Sequence, residues 1–354
     1  MHSSHGHSPS TYATFPSTLD IQRENVVSKA SNVHNAMPVS QLDMADLELL
    51  HHWSTSTANT LSHHPAFQMQ WRIRAPQVGF SSQFVLRAIL AFASLHMAYL
   101  KPYKRDFYYA QAEVHHNIAL RAVTPNISRL IQEDYAAIHL FSCFTCLIAC
   151  AKPRKTNDYL LMEGEAISEW LISFRGTKAI IGCLRDYPGM GPLAPMFIHG
   201  ERKARLRNSQ TMEKKVYIQD LEQLLENEID DPMELGAYRH SVDELNKSFT
   251  VVFELPKCEM ADVFIWFYQI TDEYLVFLRR QRPAALVIFA YYCVILKQLE
   301  WTWWIEGWSA HIMGGIYDLL DDHHRVWLRW PIEQLGWIPP TLDAWPGPRL
   351  APTC

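Results

Sequence analysis

An acidic segment in the second half of the chain carries the residues best suited to chemistry. Asp230, Asp231 and Glu234 follow one another in the order Asp-Asp-Pro-Met-Glu. Carboxylates at this spacing suit Mg²⁺, whose coordination shell is often completed by water and substrate phosphates. Pro232 lies within the segment and limits the helix that must aim the acids inward. A solvated acidic helix junction is therefore the competing interpretation.

The same segment resembles the Asp-rich motif of class I terpene cyclases. That resemblance implies a Mg²⁺-dependent cyclase, or another secondary-metabolite tailoring enzyme, with Asp230, Asp231 and Glu234 as catalytic acids and metal ligands. Asn157, Asp158 and Glu165 form a distorted second motif, in which Leu161 stands where serine or threonine is expected. An aromatic cavity among helices would also suit a carbocation, through contacts with ring faces. This enzyme is kept as the alternative function.

Two further groups of residues have the types that bind metals. Cys143, Cys146 and Cys150 lie within eight residues of one another, but zinc needs four ligands and no second cysteine pair accompanies them. Buried free thiols that pack as small apolar groups are the expectation. His323 and His324 follow two aspartates, yet neighbouring side chains on a helix point about 100° apart. Without a distant partner they make poor joint ligands, and no metal site is predicted.

The composition argues against several classes of protein. The chain has 354 residues, 48% of them hydrophobic, and a formal net charge of -5. A DNA-binding module is usually strongly basic, so the charge gives no reason to expect direct nucleic-acid binding. Seven cysteines and a polar start that does not resemble a signal peptide predict a reducing compartment, the nucleus or cytoplasm. The longest apolar run, 284–296, is too short for a membrane span.

The elements that must position these residues are predicted to be helical. Apolar side chains recur at intervals of three and four residues, and alternating strands with tight hairpin turns are lacking. Residues 84–99 and 284–299 are almost wholly apolar, which predicts a buried central helix pair. Trp304, Trp308 and Ile312 fall on one face of a later helix. The other predicted helices begin near Leu42 and cover 105–123, 135–150, 158–183, 213–228, 235–252 and 264–280.

The domain organisation follows from composition. Residues 1–41 are rich in serine, threonine, histidine and asparagine, and they contain too few large apolar side chains to form a core. Residues 339–354 form a proline-rich end. We therefore predict an all-α fold of about eleven helices in one domain over 42–338, with a disordered tail before it and a short tail after it.

Several segments together resemble one family of fungal regulators. Six tryptophans lie between positions 301 and 330, a density typical of an aromatic core or an apolar pocket. The matching segments are 42–57, 90–98, 109–116, 171–176, 283–292, 303–308 and 327–331. In order and spacing they resemble the C-terminal regulatory domain of Zn₂Cys₆ fungal transcription factors, specifically the sterol uptake control group.

The resemblance implies a helical domain that senses a sterol or another lipophilic ligand and performs no chemistry. The residues expected to contact that ligand are Phe92, His96, Tyr291, Tyr292, Trp304 and Trp308. The competing interpretation is that these side chains only pack the core. Family members carry a zinc cluster of six cysteines, whereas the first cysteine here is Cys143. Zinc and direct DNA binding are therefore not expected, no other cofactor is predicted, and regulation is expected through homo- or heterodimerisation with a full-length regulator.

Overall fold

The computed structural model describes residues 43–126, 129–130, 133–154, 214–254 and 258–340, with isolated residues between 162 and 208. Contacts divide the chain into Met1–Leu42 and Asp43–Cys354. The predicted tail 1–41 and most of the predicted tail 339–354 lie outside the described residues, as do Asn157, Asp158 and Glu165. The fold below is that of the second unit.

The first half of this unit is a group of helices around one apolar helix, α4. Its members are α1 (Met44–Thr55), α2 (Pro65–Met69), α3 (Ala75–Ser81), α4 (Gln83–Leu100), α5 (Arg105–Val123) and α6 (Tyr135–Ala151). A 3₁₀ segment, Thr57–Leu61, and a π-helical turn, Gln70–Arg74, connect the first three. Helices α1, α3, α5 and α6 all pack against α4.

The second half repeats this plan around another apolar helix, α11. Its helices are α7 (Val216–Glu228), α8 (Pro232–Glu254), α9 (Met260–Gln269), α10 (Asp272–Arg279), α11 (Pro283–Leu296), α12 (Trp308–Leu319), α13 (Asp322–Arg325) and α14 (Arg329–Leu335). Helices α8, α12 and α14 pack against α11, and α7 and α9 pack against α8. Every residue of α11 from Ala284 to Leu296 is buried.

The all-α prediction is confirmed, including the burial of both central helices. More helical segments are present in the described residues than the eleven expected, because short segments such as Pro65–Met69 and Asp322–Arg325 carry no periodic signal of their own. A two-residue antiparallel pairing, Met162–Glu163 with Ala166–Ile167, falls where a helix over 158–183 was predicted. That part of the prediction is wrong.

Two helix boundaries also differ from the pattern. The apolar run 264–280 is two helices, because the chain is extended at Ile270 and the Thr271 side chain then caps α10 by accepting from Tyr274 N at 3.1 Å. Trp304 lies in the turns that precede α12 rather than on its face, since the helix begins at Trp308. Periodicity cannot detect such breaks when apolar residues continue through them.

A buried charge cluster ties the first helical group together. Asp46 on α1 accepts from the guanidinium of Arg87 on α4 at 2.9 Å, and its other oxygen lies 3.1 Å from Nε2 of His115 on α5. All three side chains are buried. Paired charges are what allow a carboxylate to lie inside a protein, so the cluster fixes how α1 and α5 pack on α4.

Helix α4 is the one helix in the described part of the chain that is by itself long and apolar enough to cross a bilayer. In this fold 83% of that span is buried against protein. The core helix of a globular domain meets the same criteria of length and composition. Its burial on all sides by α1, α3, α5 and α6 indicates that role here.

Candidate ligand-binding cavity

The predicted ligand-contacting residues are all buried, but they lie in several packing environments. Phe92 and His96, on α4, lie under Trp303, with ring centroids 5.1 Å and 4.8 Å from its indole. The His96 Nδ1 atom lies 2.9 Å from Thr57 Oγ1 and 3.2 Å from His52 Nε2. Burial, with help from His52, lowers the pKa of His96 to about 4. His96 is therefore a neutral ring with polar partners already supplied by the protein.

The adjacent tyrosines of α11 face different neighbours. The Tyr292 hydroxyl donates to the carbonyl of Val263 at 3.3 Å, and its ring stacks on Trp266 at 4.7 Å. Tyr291 instead stacks on Trp330 at 5.1 Å. Neighbouring helical residues point about 100° apart, which accounts for this divergence.

The two tryptophans differ in how their indole N–H groups are used. Trp308 donates to the carbonyl of Cys150 at 2.7 Å and so ties α12 to the end of α6. Trp304 packs beside Phe264, and its buried indole nitrogen has no hydrogen-bond partner among the described residues. Neither tryptophan lines either of the two cavities described next. Ligand contact by the six residues stays a prediction.

An apolar cavity of about 120 Å³ lies between the two halves of the helical unit. One wall comes from the 3₁₀ segment, α2 and the π-helical turn, and the facing wall from α8 and α9. Its apolar lining consists of Leu61, Phe67, Trp71, Val251, Met260, Ala261 and Ile265. Ligand sites are usually concave, largely apolar and provided with a few polar groups, and this cavity has that character.

Charged side chains form one edge of the cavity, and the protein itself pairs them. Glu259 accepts from Ser62 Oγ at 2.9 Å, and burial raises the pKa of its carboxyl despite that bond. Asp262 pairs with Lys203 and also accepts from the backbone of Glu259 at 2.8 Å. The Glu259 side chain in turn accepts from the backbone N–H of Asp262, and this reciprocal capping begins α9. The cavity therefore offers apolar contact with a polar edge, which suits binding.

A second, polar cavity of about 290 Å³ includes the acidic segment. Glu234 is buried there and accepts from Arg282 at 3.0 Å and from the Tyr238 hydroxyl at 2.7 Å. The Asp231 side chain accepts from Met233 N at 3.0 Å, at the start of α8. Asp230 is exposed. The acids thus serve a helix start and an ion pair, as the helix-junction interpretation predicts.

This arrangement does not favour the cyclase alternative. A Mg²⁺ site needs carboxylates whose oxygens are available to the ion and to substrate phosphates. Glu234 is already held by a guanidinium, and Pro232 occupies the first turn of α8, where proline is tolerated. The second motif, Asn157, Asp158 and Glu165, lies outside the described residues.

The cysteines of α6 are buried free thiols, as expected. Cys143, Cys146 and Cys150 are all buried. Burial raises the pKa of Cys143 to about 12 and that of Cys146 well above its usual value. Thiolates are the form that binds zinc, so the protonated thiols of Cys143 and Cys146 pack as small apolar side chains.

No protein-family model matches the chain. It is 23% identical over 314 residues, 82% of its length, to a Zn(2)-C6 fungal-type transcription factor of Gibberella zeae. It is also 24% identical over 257 residues, 68% of its length, to the Zn(2)-C6 fungal-type transcription factor afumD of Aspergillus fumigatus. The similarity therefore extends over most of the helical unit, and these relatives are named as regulators.

The chain spans 61% and 65% of the length of these two relatives. The similarity supports the predicted relation to fungal Zn₂Cys₆ regulators. The sterol uptake control group is a finer assignment, and it belongs to the proposal below.

Sequence reasoning missed the residues that line the apolar cavity. Ser62 and Glu259, which meet at its edge, are 197 residues apart in the chain. Phe67, Trp71 and Met260 carry no motif, and each resembles an ordinary core residue in the sequence. Only the packing of the two halves against each other brings them together, so no local signal marks them.

Proposed function

We propose that this chain is a ligand-responsive regulatory domain of the kind found in fungal Zn₂Cys₆ transcription factors, and specifically of the sterol uptake control group. The similarity over 82% of the chain to a named regulator carries the proposal. The proposed ligand is a sterol-like or other lipophilic molecule. Its proposed site is the apolar cavity between Leu61, Phe67, Trp71 and Ile265.

The size of the cavity limits the ligand. At about 120 Å³ it is smaller than the roughly 300–1,000 Å³ of typical ligand pockets. A dry cavity of about 150 Å³ accommodates a benzene-sized molecule. The cavity is therefore closest in size to a short aliphatic ligand, whereas a sterol requires its walls to separate. Phe67 and Met260 are the long side chains on those facing walls.

Such a ligand would act by shifting a conformational equilibrium. The cavity walls come from both helical groups, so a ligand that fills it favours the arrangement of the two groups that fits that ligand. That change would alter the surface offered to a partner, such as a second copy or a full-length regulator. The site of action is then the nucleus or cytoplasm.

Direct DNA binding is not part of this proposal. The described residues contain five cysteines, all free and none exposed: Cys143, Cys146, Cys150, Cys258 and Cys293. A zinc cluster needs deprotonated thiols close together. For the described residues, the proposed route to DNA is a partner.

A cavity-blocking variant tests the ligand site. Ala261 lines the cavity but is itself exposed, so Ala261→Trp narrows the opening without disturbing the core. Ala110→Trp, at an exposed position of α5, is the matched control. Thermal unfolding is measured with ergosterol and with short-chain alcohols and fatty acids. A ligand at a hundredfold excess over its Kd stabilises the fold by about 2.7 kcal/mol.

The expected result is a rise in Tm for the unchanged chain and for Ala110→Trp, and no rise for Ala261→Trp. A response to the short-chain compounds alone would keep the lipophilic ligand and reject the sterol. No response to any compound, or an equal response in both variants, would reject the cavity as the site.

A further inference from the structure

A carboxylate and two histidines meet on the second helical group, outside the lining of the apolar cavity and beside the Asp-Pro junction. Glu228 is the last residue of α7, and His323 and His324 belong to α13. The His324 Nε2 atom lies 2.6 Å from Glu228 Oε1, and the His323 Nε2 atom lies 3.3 Å from Glu228 Oε2. These atoms all lie within 4.8 Å of one another. Glu228 is thus the distant partner that the histidine pair lacks in the sequence.

The surrounding residues hold both rings in place. Asp321 caps α13 through His324 N at 2.9 Å, and the same oxygen lies 2.7 Å from His324 Nδ1. When Nδ1–H donates to this carboxylate, the Nε2 atom of the neutral ring presents its lone pair. Trp327 packs against both rings, at 5.9 Å from His323 and 5.2 Å from His324. A carboxylate behind a ligating histidine is the usual way to fix the ring of a zinc ligand.

Two separations within the cluster can be compared with those around a tetrahedral ion. Zinc bonds of about 2.0–2.2 Å to nitrogen and oxygen place neighbouring ligands roughly 3.3–3.5 Å apart. The distance between His323 and Glu228 already has that value, at 3.3 Å. The distance of 2.6 Å between His324 and Glu228 is that of a hydrogen bond, in which Nε2–H donates to the carboxylate. The ion would replace that proton, which leaves to solvent. A small rotation of the carboxylate provides the extra separation.

The charges nearby favour a cation and leave it room. Arg325, the nearest basic residue in sequence, is turned away, because it binds Asp322 at 2.9 Å and the carbonyl of Tyr317 at 3.0 Å. Glu228 also lines the polar cavity with Asp230 and Asp231. Two imidazole nitrogens and one carboxylate match zinc better than Mg²⁺ or Ca²⁺, which prefer oxygen ligands.

We propose that Glu228, His323 and His324 bind one zinc-type divalent cation, with Asp321 as the positioning residue behind His324. Three protein ligands leave a coordination position for water or a further ligand, as in open zinc sites. The ion joins the end of α7 to α13, elements that are 95 residues apart in the chain. The site is independent of the apolar cavity and of any zinc cluster of thiolates.

Titration of the full chain, free of purification tags and treated with a chelator, tests this proposal. ZnCl₂ is added alone, and binding is followed by calorimetry and thermal unfolding. His2, His5 and His7 can also bind zinc, so the variants decide the result. His323→Ala removes an exposed ligand, and Glu228→Gln keeps the shape of the carboxylate side chain. His51→Ala removes an exposed histidine elsewhere and is the control.

The expected result is a Tm rise of about 5 °C at a hundredfold excess of zinc over Kd, in the unchanged chain and in His51→Ala. His323→Ala and Glu228→Gln should lose this rise while retaining the metal-free Tm. Mg²⁺ at the same concentration should give none. Asp321→Asn still caps α13, and it should weaken zinc binding by about tenfold. The proposal is overturned if zinc gives no rise, or if His323→Ala responds as His51→Ala does.

Discussion

Two clusters of acid and histidine, one in each helical group, have opposite surroundings. In the first, Asp46 meets Arg87 and His115 in the core, with side chains no more than 7% exposed. In the second, Glu228 meets His323 and His324 at the surface, where the Glu228 side chain is 31% exposed and that of His323 is 71% exposed. Both join helices that are far apart in sequence. Of the two clusters, only the buried one contains a side chain that is always positively charged, Arg87.

The difference shows how burial decides what the same residue types do. Inside the protein an unpaired carboxylate is very costly, so Asp46 is stable there only with Arg87 as its partner. That pairing closes the cluster and leaves no ligand atom for a solute. At the surface Glu228 remains hydrated and needs no arginine. The surface cluster can therefore exchange a histidine proton for a metal ion.

Breaking the buried cluster has the largest expected effect. Asp46→Ala leaves Arg87 charged and buried without its carboxylate, which costs about 3–5 kcal/mol in the free energy of unfolding. Urea unfolding of this variant and of Glu48→Ala, an exposed acid on the same helix, measures the difference. If Asp46→Ala lowers the free energy of unfolding by less than 1 kcal/mol, the buried cluster contributes no more to stability than the surface cluster does.

The helices that the sequence predicted correctly are those formed by one continuous apolar stretch. Residues 84–99 lie within α4, and residues 284–296 form all of α11 after Pro283, because apolar side chains dominate both stretches. The break at Ile270 was missed because apolar side chains continue on both sides of it. Trp304 was placed on a helix for the same reason. Hydrophobic pattern identifies what is buried, and the backbone can still turn between buried residues.

Sites that depend on tertiary packing were the least predictable. The sequence singled out Asp230, Asp231 and Glu234 by spacing, but Arg282, 48 residues later, pairs with Glu234. From the sequence, no metal site was predicted at His323 and His324, because the side chains of neighbouring helical residues point about 100° apart. Helix α13 has only four residues, and Glu228 reaches both rings from another helix. No local spacing reveals such a partner.

The buried histidines should make stability depend on pH, with an intermediate effect. Burial lowers the pKa of His96, His116 and His139 to about 4 each, from 6.5 in the unfolded chain. Below pH 6.5 the unfolded chain takes up protons that the folded protein refuses until about pH 4. The free energy of unfolding is therefore full above pH 7 and decreases toward pH 5, by about 2 kcal/mol per histidine.

His96→Gln isolates one of these contributions. The free energy of unfolding of this variant, measured with urea at each pH, should also decrease between pH 7.5 and pH 5. That decrease should be about 2 kcal/mol smaller than in the unchanged chain. His51→Gln changes an exposed histidine and should leave the decrease as it was. An identical pH dependence in all three proteins would show that His96 does not remain neutral in the core.

The smallest expected effect is that of Glu228→Gln in the presence of a chelator. A solvated carboxylate paired with histidines contributes about 0–1 kcal/mol to stability, and glutamine can still accept a hydrogen bond from His324. Urea unfolding with a chelator should therefore show almost no change, whereas added zinc should stabilise the unchanged chain alone. A loss of 3 kcal/mol without metal would instead give Glu228 the same structural role as Asp46. Because the metal-free cost is small, any large difference that appears with zinc measures binding of the ion and not repair of the fold.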